Sequence, residues 1–176
     1  VAAAHVSNTI GGEVSMTSGD TSPGTTAVDA AGLVSRRNWR ASNGGLTLEA
    51  RVKLNDITLV KCFIGFTDNA ALEFPVISNG TTGITATADD AVGFLFDTLA
   101  TTDVWSGCGV AATVSAGAVV NGNAPVNDTY TVLRVEVDTA GTASFYQDGV
   151  FIGAKVAAVT PTILAAAAWC APAARC

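Results

Sequence analysis

The chain has 176 residues, of which 49% are hydrophobic and 14% are charged, and its net charge is -6. This length suits one β-sandwich domain that is large enough to bury its own core. The acidic balance argues against a nucleic-acid partner, because binding to phosphates needs clustered Lys and Arg. No run of about 18 apolar residues is present, so we predict no membrane-spanning segment.

Residues 1–34 are rich in Gly, Ser, Thr and Ala and show little periodicity. We predict an irregular N-terminal arm that docks on a partner. Arg36, Arg37 and Arg40 follow at the base of this arm. They could anchor it to phosphate or to an acidic protein patch, but a solvated loop or an edge strand guarded by charge is the favoured interpretation.

From residue 46 onward the sequence predicts a series of short strands. Residues 46–54 alternate between apolar and mostly charged side chains, which is typical of a half-buried strand. Residues 60–66 and 91–96 predict two further apolar strands, and residues 104–110 predict another that carries Trp105. Strands at roughly ten-residue spacing, separated by turn signals, are typical of a β-sandwich.

The clearest pattern lies in residues 128–154, DTYTVLRVEVDTAGTASFYQDGVFIGA. Apolar residues alternate over 130–138, and turn residues at 138–141 precede a second strand at 143–146. Asp148-Gly149 predicts a tight hairpin before a third strand. Because the connections are so short, we expect an antiparallel meander. The residues predicted to lie in the core are Leu48, Val52, Ile64, Phe94, Leu133, Val135 and Val137.

The order of these motifs carries a resemblance to a known superfamily. A strand that ends in D-x-x-G, an F-Y-x-D-G turn and a short apolar strand ending in Gly resemble the concanavalin A-like jelly roll. That superfamily includes laminin-G-type modules, plant lectins and laminarinase-type glucanases. The resemblance implies an all-β, antiparallel two-sheet jelly-roll β-sandwich over residues 35–164, with an Ala-rich C-terminal segment at 165–176. It does not fix the function, because these proteins bind sugars, cut sugars or bind proteins.

A narrower resemblance concerns the sequence of motifs LEARVKL, FIGFTDN, VGFLFDT, W-x-x-x-G-V and the meander. It is similar to tailed-phage virion proteins, especially head decoration and head-fibre-type proteins. This implies a non-enzymatic capsid decoration protein on the outside of a phage head. Its partners would be the major capsid protein, other virion proteins and further copies of itself. That family closes with another strand, where this chain has AAAAWCAPAARC, a segment of little β-propensity.

The alternative function is a lectin-like, carbohydrate-binding module for adhesion or host attachment, which would act outside the cell. Such a module would bind a glycan on an exposed aromatic side chain with polar neighbours. The candidates are Trp39, Trp105 and Tyr146. Trp105 lies in a predicted strand, where packing in the core is its favoured role.

A third possibility is a degenerate glucanase-like domain. Laminarinase-type glucanases carry E-x-D-x-E on one strand, which aims three carboxylates into one cleft. Glu136 and Asp138 match the first two positions, but Ala140 stands at the third. His5 is the only histidine, which leaves no Ser/His/Asp triad. We therefore predict no enzyme activity and no catalytic residue.

Acidic residues near two predicted turns raise the question of a metal. Asp68, Asn69, Asp89 and Asp90 could bring oxygen atoms together from loops, as a calcium site requires. Capping of ordinary turns is the favoured role of these side chains. We predict neither a metal nor a cofactor.

The four cysteines allow three complete pairings. None forms a C-x-x-C pair, which argues against a zinc site. Cys62 and Cys108 fall at inward positions of predicted strands, so buried free thiols are the favoured interpretation. A disulfide between Cys170 and Cys176 stays open.

Overall fold

A computed structural model describes residues 3–6, 13–16, 31–69, 77–80, 83–112, 114–115, 119–156 and 164–172. These residues form fifteen strands and one short 3₁₀ turn at Ala41–Asn43. The strands are β1 (Ala3–Val6), β2 (Glu13–Met16), β3 (Ala31–Val34), β4 (Leu46–Lys53), β5 (Val60–Thr67), β6 (Ile77–Gly80), β7 (Gly83–Ala86), β8 (Ala91–Asp97), β9 (Ser106–Ala111), β10 (Val114–Ser115), β11 (Val120–Asn121), β12 (Tyr130–Val137), β13 (Thr142–Gln147), β14 (Val150–Val156) and β15 (Ala165–Pro172). Within the described residues, no helix is long and apolar enough to cross a membrane.

Two antiparallel sheets make up the body of the molecule. The large sheet has the strand order β10-β9-β8-β5-β15-β3, and β11 also pairs with β9. The small sheet has the order β14-β13-β12-β4. Two hairpins, β1–β2 and β6–β7, are not hydrogen-bonded to either sheet. The arrangement confirms the predicted two-sheet jelly-roll β-sandwich.

The small sheet contains the predicted meander. Alternation along β12 buries Thr131, Leu133, Val135 and Val137, while the residues between them are partly exposed. Asp148 and Gly149 both have positive φ angles, of 51° and 80°. Positive φ at both central residues is the geometry of the tight hairpin that Asp-Gly predicts.

The main core lies between the two sheets and confirms the predicted core residues. Ile64, Phe94, Leu133, Val135 and Val137 are buried there, and Leu48 and Val52 are partly buried against them. The ring of Phe145 on β13 meets the ring of Phe94 edge to face, with centroids 5.4 Å apart. Such a contact adds to the burial of both rings and fixes their orientation.

A second apolar cluster covers part of the outer face of the large sheet. Phe63, Leu95, Cys108 and Val110 project from this face and are buried under Ile77 of β6. Both faces of the centre of the large sheet are therefore apolar and covered. The burial raises the pKa of the Cys108 thiol to about 12. The buried state of Cys108 as a free thiol confirms its predicted role.

The structure differs from the predicted domain limits at both ends of the sandwich. Residues 31–34 form the edge strand β3, and residues 165–172 form β15 between β5 and β3. The Ala-rich segment therefore fills an inner position of the large sheet despite its low β-propensity, because cross-strand pairing and burial override propensity. The arm residues 1–2, 7–12 and 17–30 lie outside the described residues, so its docking role stays a prediction.

The expectation of a free thiol at Cys62 is wrong. Cys62 and Cys170 form a disulfide between β5 and β15. Register explains the pairing, because the two residues lie opposite each other on neighbouring strands with Cα atoms 4.1 Å apart. Cys170 is thus not available to Cys176, which lies outside the described residues.

Candidate functional site

The outer face of the small sheet carries a row of three side chains, each in contact with the next. The two-residue turn at Asp148-Gly149 places Tyr146 opposite Phe151. Their ring centroids are 5.5 Å apart, with an interplanar angle of 60°. On the other side of Tyr146, the ζ carbon of Arg134 lies 4.2 Å from the ring centroid. We call Phe151, Tyr146 and Arg134 the aromatic row.

A β-bulge aims the aromatic row away from the core. Phe145 pairs with Gly153, whereas the next residue, Tyr146, pairs with Phe151, so Ile152 is the extra residue on β14. The bulge lets Ile152 pack against the core while Phe151 stays 55% exposed. Gly153 takes a φ of 156°, and a Cβ there would lie 2.5 Å from Val120, so a side chain at this position would disturb the bulge.

Glu136 lies beside the aromatic row on the same strand as Arg134. The Nε atom of Arg134 is 3.3 Å from Oε1 of Glu136, and both side chains are about one-third exposed, at 34% and 39%. The pair lacks hydrogen-bond geometry, and among the described residues the Nε–H of Arg134 has no hydrogen-bond partner. The contact orients the guanidinium over Tyr146 and adds little stability, as expected for an exposed ion pair.

A second cluster lies at the edge of the small sheet. The ζ carbon of Arg51 is 3.8 Å from the centroid of the Tyr130 ring, and Nζ of Lys53 is 5.1 Å from it. Both distances fall within cation–π range. In the part of the chain that the structure describes, neither cation forms an ion pair. We call Arg51, Lys53 and Tyr130 the basic cluster.

The basic cluster borders a cleft of about 410 Å³ at the open side of the sandwich. One wall is β4, the edge strand of the small sheet. The floor includes Ile64 and Cys170 of the large sheet, and Val14 and Met16 of β2 line the other side. This volume is within the usual range for small-molecule sites. The floor is apolar and the rim carries Arg51, Lys53 and Asp56, so the cleft is amphipathic.

The three aromatic residues predicted as candidates for a sugar platform lie in different environments. Trp105 is fully buried against Phe96, with ring centroids 5.6 Å apart, which confirms its packing role. Trp39 is 47% exposed, and its Nε1 donates a hydrogen bond to Ser35 Oγ at 3.4 Å. Tyr146 belongs to the aromatic row. Only Tyr146 therefore joins a cluster of aromatic and charged groups.

The E-x-D remnant has structural roles. Glu136 faces outward beside Arg134, as described above. The carboxylate of Asp138 accepts hydrogen bonds from the backbone N–H groups of Ala140 and Thr142, at 2.9 and 2.8 Å. Asp138 is thus the capping residue of the turn between β12 and β13, and the two carboxylates do not face a common cleft.

The acidic residues considered for a calcium site accept hydrogen bonds from backbone N–H groups. Oδ1 of Asp68 accepts the N–H of Asp90 at 3.2 Å, and Oδ1 of Asp90 accepts the N–H of Ala112 at 3.1 Å. Both hydrogen bonds link residues that are 22 positions apart in the chain, so these carboxylates hold separate loops together. The described residues contain no group of three or more His, Cys, Asp or Glu side chains that could hold a metal.

The arginines of the SRRNWR segment do not form a joint site. Arg36 is exposed, while Arg37 donates a hydrogen bond to the backbone carbonyl of Asp68 at 3.2 Å. Arg40 is partly buried. The segment leads from β3 into β4, as a charged connection would.

The basic cluster and Phe151 were not singled out from the sequence. The alternation along β4 and β12 shows that Arg51, Lys53, Tyr130 and Arg134 share the outer face. Their contacts depend on the pairing of β4 with β12, which are about 80 residues apart in the chain. Counting back from the Asp148-Gly149 turn would have placed Tyr146 opposite Phe151.

Comparison with known proteins relates the chain by structure only. It matches no family model and no curated protein sequence. A solved 1,3-alpha-1,4-beta-D-galactose-4-sulfate-3,6-anhydro-D-galactose 4 galactohydrolase is 13% identical, with a TM-score of 0.50 over 82% of this chain and 55% of that one. The kappa-carrageenase of Pseudoalteromonas carrageenovora is 13% identical, with a TM-score of 0.48 and the same coverage of both chains.

The carbohydrate-binding module CBM66 from Bacillus subtilis is 9% identical, with a TM-score of 0.48 over 98% of this chain and 86% of that one. The chain spans 55% of the length of each of the two enzymes named above. None of the three structures is a phage protein. At these identities the likeness shows the fold alone, an antiparallel two-sheet jelly-roll β-sandwich.

Proposed function

We propose that this chain is a non-enzymatic, lectin-like carbohydrate-binding module that holds its glycan on the outer face of the small sheet. The observation that carries the proposal is the aromatic row of Phe151, Tyr146 and Arg134. Sugar rings present flat C–H faces, which pack on exposed aromatic rings, and hydroxyl groups, which bind charged side chains. An exposed apolar group with polar neighbours is typical of an interaction site.

The row is held in place before any ligand arrives. Tyr146 contacts Phe151 on one side and Arg134 on the other, and all three side chains project from paired strands. Binding therefore costs little additional side-chain entropy. Sites on strands are also better defined than sites on mobile loops.

The arrangement of carboxylates supports a binding role without hydrolysis. Glycosidases need a pair of carboxyl groups that flank the scissile bond, about 5–10 Å apart. Here two backbone N–H groups hold the Asp138 carboxylate in a turn and Glu136 faces outward beside Arg134, so the two carboxylates do not face a common cleft. That the protein has no enzyme activity is part of the proposal.

The site of action that we propose is extracellular, in adhesion or host attachment. A disulfide such as Cys62–Cys170 is typical of oxidising compartments. The two enzymes and the binding module are named for carbohydrate. The proposal depends on the residues of this chain, because those likenesses concern the fold. The capsid decoration role stays a prediction, and sedimentation with phage particles would support it.

Binding to polysaccharides tests the proposal. We expect the protein to be retarded in affinity electrophoresis through at least one of a panel of neutral and acidic polysaccharides. The double variant Tyr146→Ala/Phe151→Ala should weaken that binding about tenfold or more, which corresponds to about 1.4 kcal/mol. The matched control Val126→Ala, at a side chain 61% exposed in the loop before β12, should bind like the wild type.

Two results would contradict the proposal. One is a wild-type protein that binds no polysaccharide in the panel. The other is full binding by the Tyr146→Ala/Phe151→Ala variant. Far-ultraviolet circular dichroism of each variant shows whether a loss of binding reflects a loss of the fold.

A further inference from the structure

We infer that the glycan is anionic and that Arg51 and Lys53 bind its sulfate or carboxylate groups. This inference rests on the proposed function, since it names the class of glycan that the same face holds. It starts from the basic cluster, in which both cations project from the edge strand β4 next to Tyr130.

The basic cluster has no carboxylate partner within the described residues. Arg51 and Lys53 lie two residues apart on the same face of β4, and both are exposed. Two like charges at this spacing repel each other weakly, and a bound anion relieves the repulsion. The cluster places two positive charges side by side in a chain with a net charge of -6, and Glu49 is the neighbouring acidic residue on the same face of β4.

The stacking of Arg51 leaves its hydrogen-bond donors available. The ζ carbon of the guanidinium lies over the Tyr130 ring, 3.8 Å from its centroid, which is a close cation–π contact. The N–H groups of a guanidinium lie in its plane and are directed outward from its edges. Two of them can bind the oxygen atoms of one sulfate or carboxylate side by side. The ring thus orients the group that recognises the anion.

The basic cluster and the aromatic row lie along one strand. Tyr130 and Arg134 are both on the outer face of β12, four residues apart, which corresponds to about 13 Å. A single sugar cannot reach both clusters, whereas an oligosaccharide along β12 contacts both. The edge cleft beside β4 gives the ligand a concave boundary at the basic end. We therefore assign acidic groups to that end and sugar stacking to Tyr146 and Phe151.

Two matched pairs of ligands test the inference. The first pair is a sulfated galactan and the same galactan after its sulfates have been removed, and the second is polygalacturonate and its fully methyl-esterified form. We expect at least one acidic polymer to bind about tenfold more tightly than its neutral counterpart at low ionic strength. The preference should shrink as salt is added, because the cluster is exposed.

Two double variants distinguish the effect of the basic cluster on binding from the effect of the net charge of the protein. Arg51→Gln/Lys53→Gln should abolish the preference, so that the acidic and the neutral polymer bind equally. The control Arg36→Gln/Arg37→Gln also removes two positive charges, but from an exposed segment outside the small sheet. This variant should keep the preference for the acidic polymer. A preference within the galactan pair shows that sulfate is the recognised group, and a preference within the polygalacturonate pair shows that it is carboxylate.

Each outcome has one meaning. Equal binding of acidic and neutral polymers, lost in Tyr146→Ala/Phe151→Ala, would overturn this inference and leave the proposed function intact. The inference would also be overturned if the preference disappears equally in Arg51→Gln/Lys53→Gln and in Arg36→Gln/Arg37→Gln. The net charge of the protein would then be the cause of the preference. Failure of every polymer to bind would overturn the proposed function, and the inference with it.

Discussion

Cys62 on β5 and Cys170 on β15 lie directly opposite each other in the large sheet, and a disulfide joins them across the two strands. The bridge links positions 108 residues apart in the chain. It thereby holds in place a strand made mainly of alanine, which has little β-propensity and little apolar area to bury. Position and covalent link together compensate for the weak local preference of residues 165–172.

Removal of this bridge should lower the stability of the fold. We expect Cys62→Ala/Cys170→Ala to reduce the free energy of unfolding by about 2–4 kcal/mol, because the unfolded chain regains the freedom that a long closed loop had removed. Urea denaturation of the wild type and of the variant, both without a reducing agent, measures the difference. A non-reducing peptide map in which the fragments with Cys62 and Cys170 separate would show that the bridge does not form.

Neighbouring aromatic residues on β13 should respond differently to truncation. Phe145 is fully buried, whereas Tyr146 projects from the outer face of the small sheet. Phe145→Ala should cost about 3–5 kcal/mol through lost burial and a cavity. Tyr146→Ala should cost much less and serves as the matched control. Similar losses in both denaturation curves would mean that the register of β13 is one residue off.

The contact between Gly107 and Phe145 gives a test of packing between the sheets. A Cβ added at Gly107 on β9 would lie 2.6–2.8 Å from carbon atoms of the Phe145 ring. We expect Gly107→Ala to cost about 1–3 kcal/mol through overpacking. In a Phe145→Leu background the cost should fall, because the smaller side chain leaves room. A double-mutant cycle with no coupling would contradict this contact.

How far the sequence predicts this fold depends on whether a signal is local. The strand β12 and the Asp148-Gly149 turn follow from adjacent residues, and both are confirmed. The strand β15 has no local signal, since alanine favours helix over strand, and only its neighbours β5 and β3 make it extended. The Cys62–Cys170 pairing depends on that same non-local register, so counting cysteines could not select it.

The candidate site shows the same division. Its residue types and outward direction follow from alternation along β4 and β12. The contact of Arg51 with Tyr130 follows from strand pairing, and the exposure of Phe151 follows from the bulge at Ile152. Neither the pairing nor the bulge has a sequence signal that is readable without the structure.

The protein should not hydrolyse β-glucans. Ala140 stands where a third carboxylate would be needed, and Asp138 holds the β12–β13 turn through two backbone N–H groups. Incubation with laminarin should release no reducing ends above the level of a heat-denatured control. Turnover that the wild type shows and Glu136→Gln loses would overturn the non-enzymatic assignment.

The stability of the protein should depend on pH through Asp68. Partial burial raises the pKa of the Asp68 carboxyl above its ordinary value, and repulsion from Asp90 and Asp89 adds to this, although the hydrogen bond from the N–H of Asp90 opposes it. The folded state therefore holds this proton more tightly than the unfolded state does. As pH rises from the ordinary value through the raised one, ionisation of Asp68 makes folding less favourable.

Asp68→Asn removes the charge and keeps an oxygen atom that accepts the N–H of Asp90. At pH 7 we expect the variant to have a larger free energy of unfolding than the wild type. The difference should shrink as pH falls below about 4, where Asp68 is protonated in both the folded and the unfolded state. The control Asp103→Asn removes one charge from an exposed position between β8 and β9. Urea denaturation at pH 3 and pH 7 measures each difference, and an Asp68→Asn protein that is less stable than the wild type at pH 7 would show that the carboxylate stabilises the loop after all.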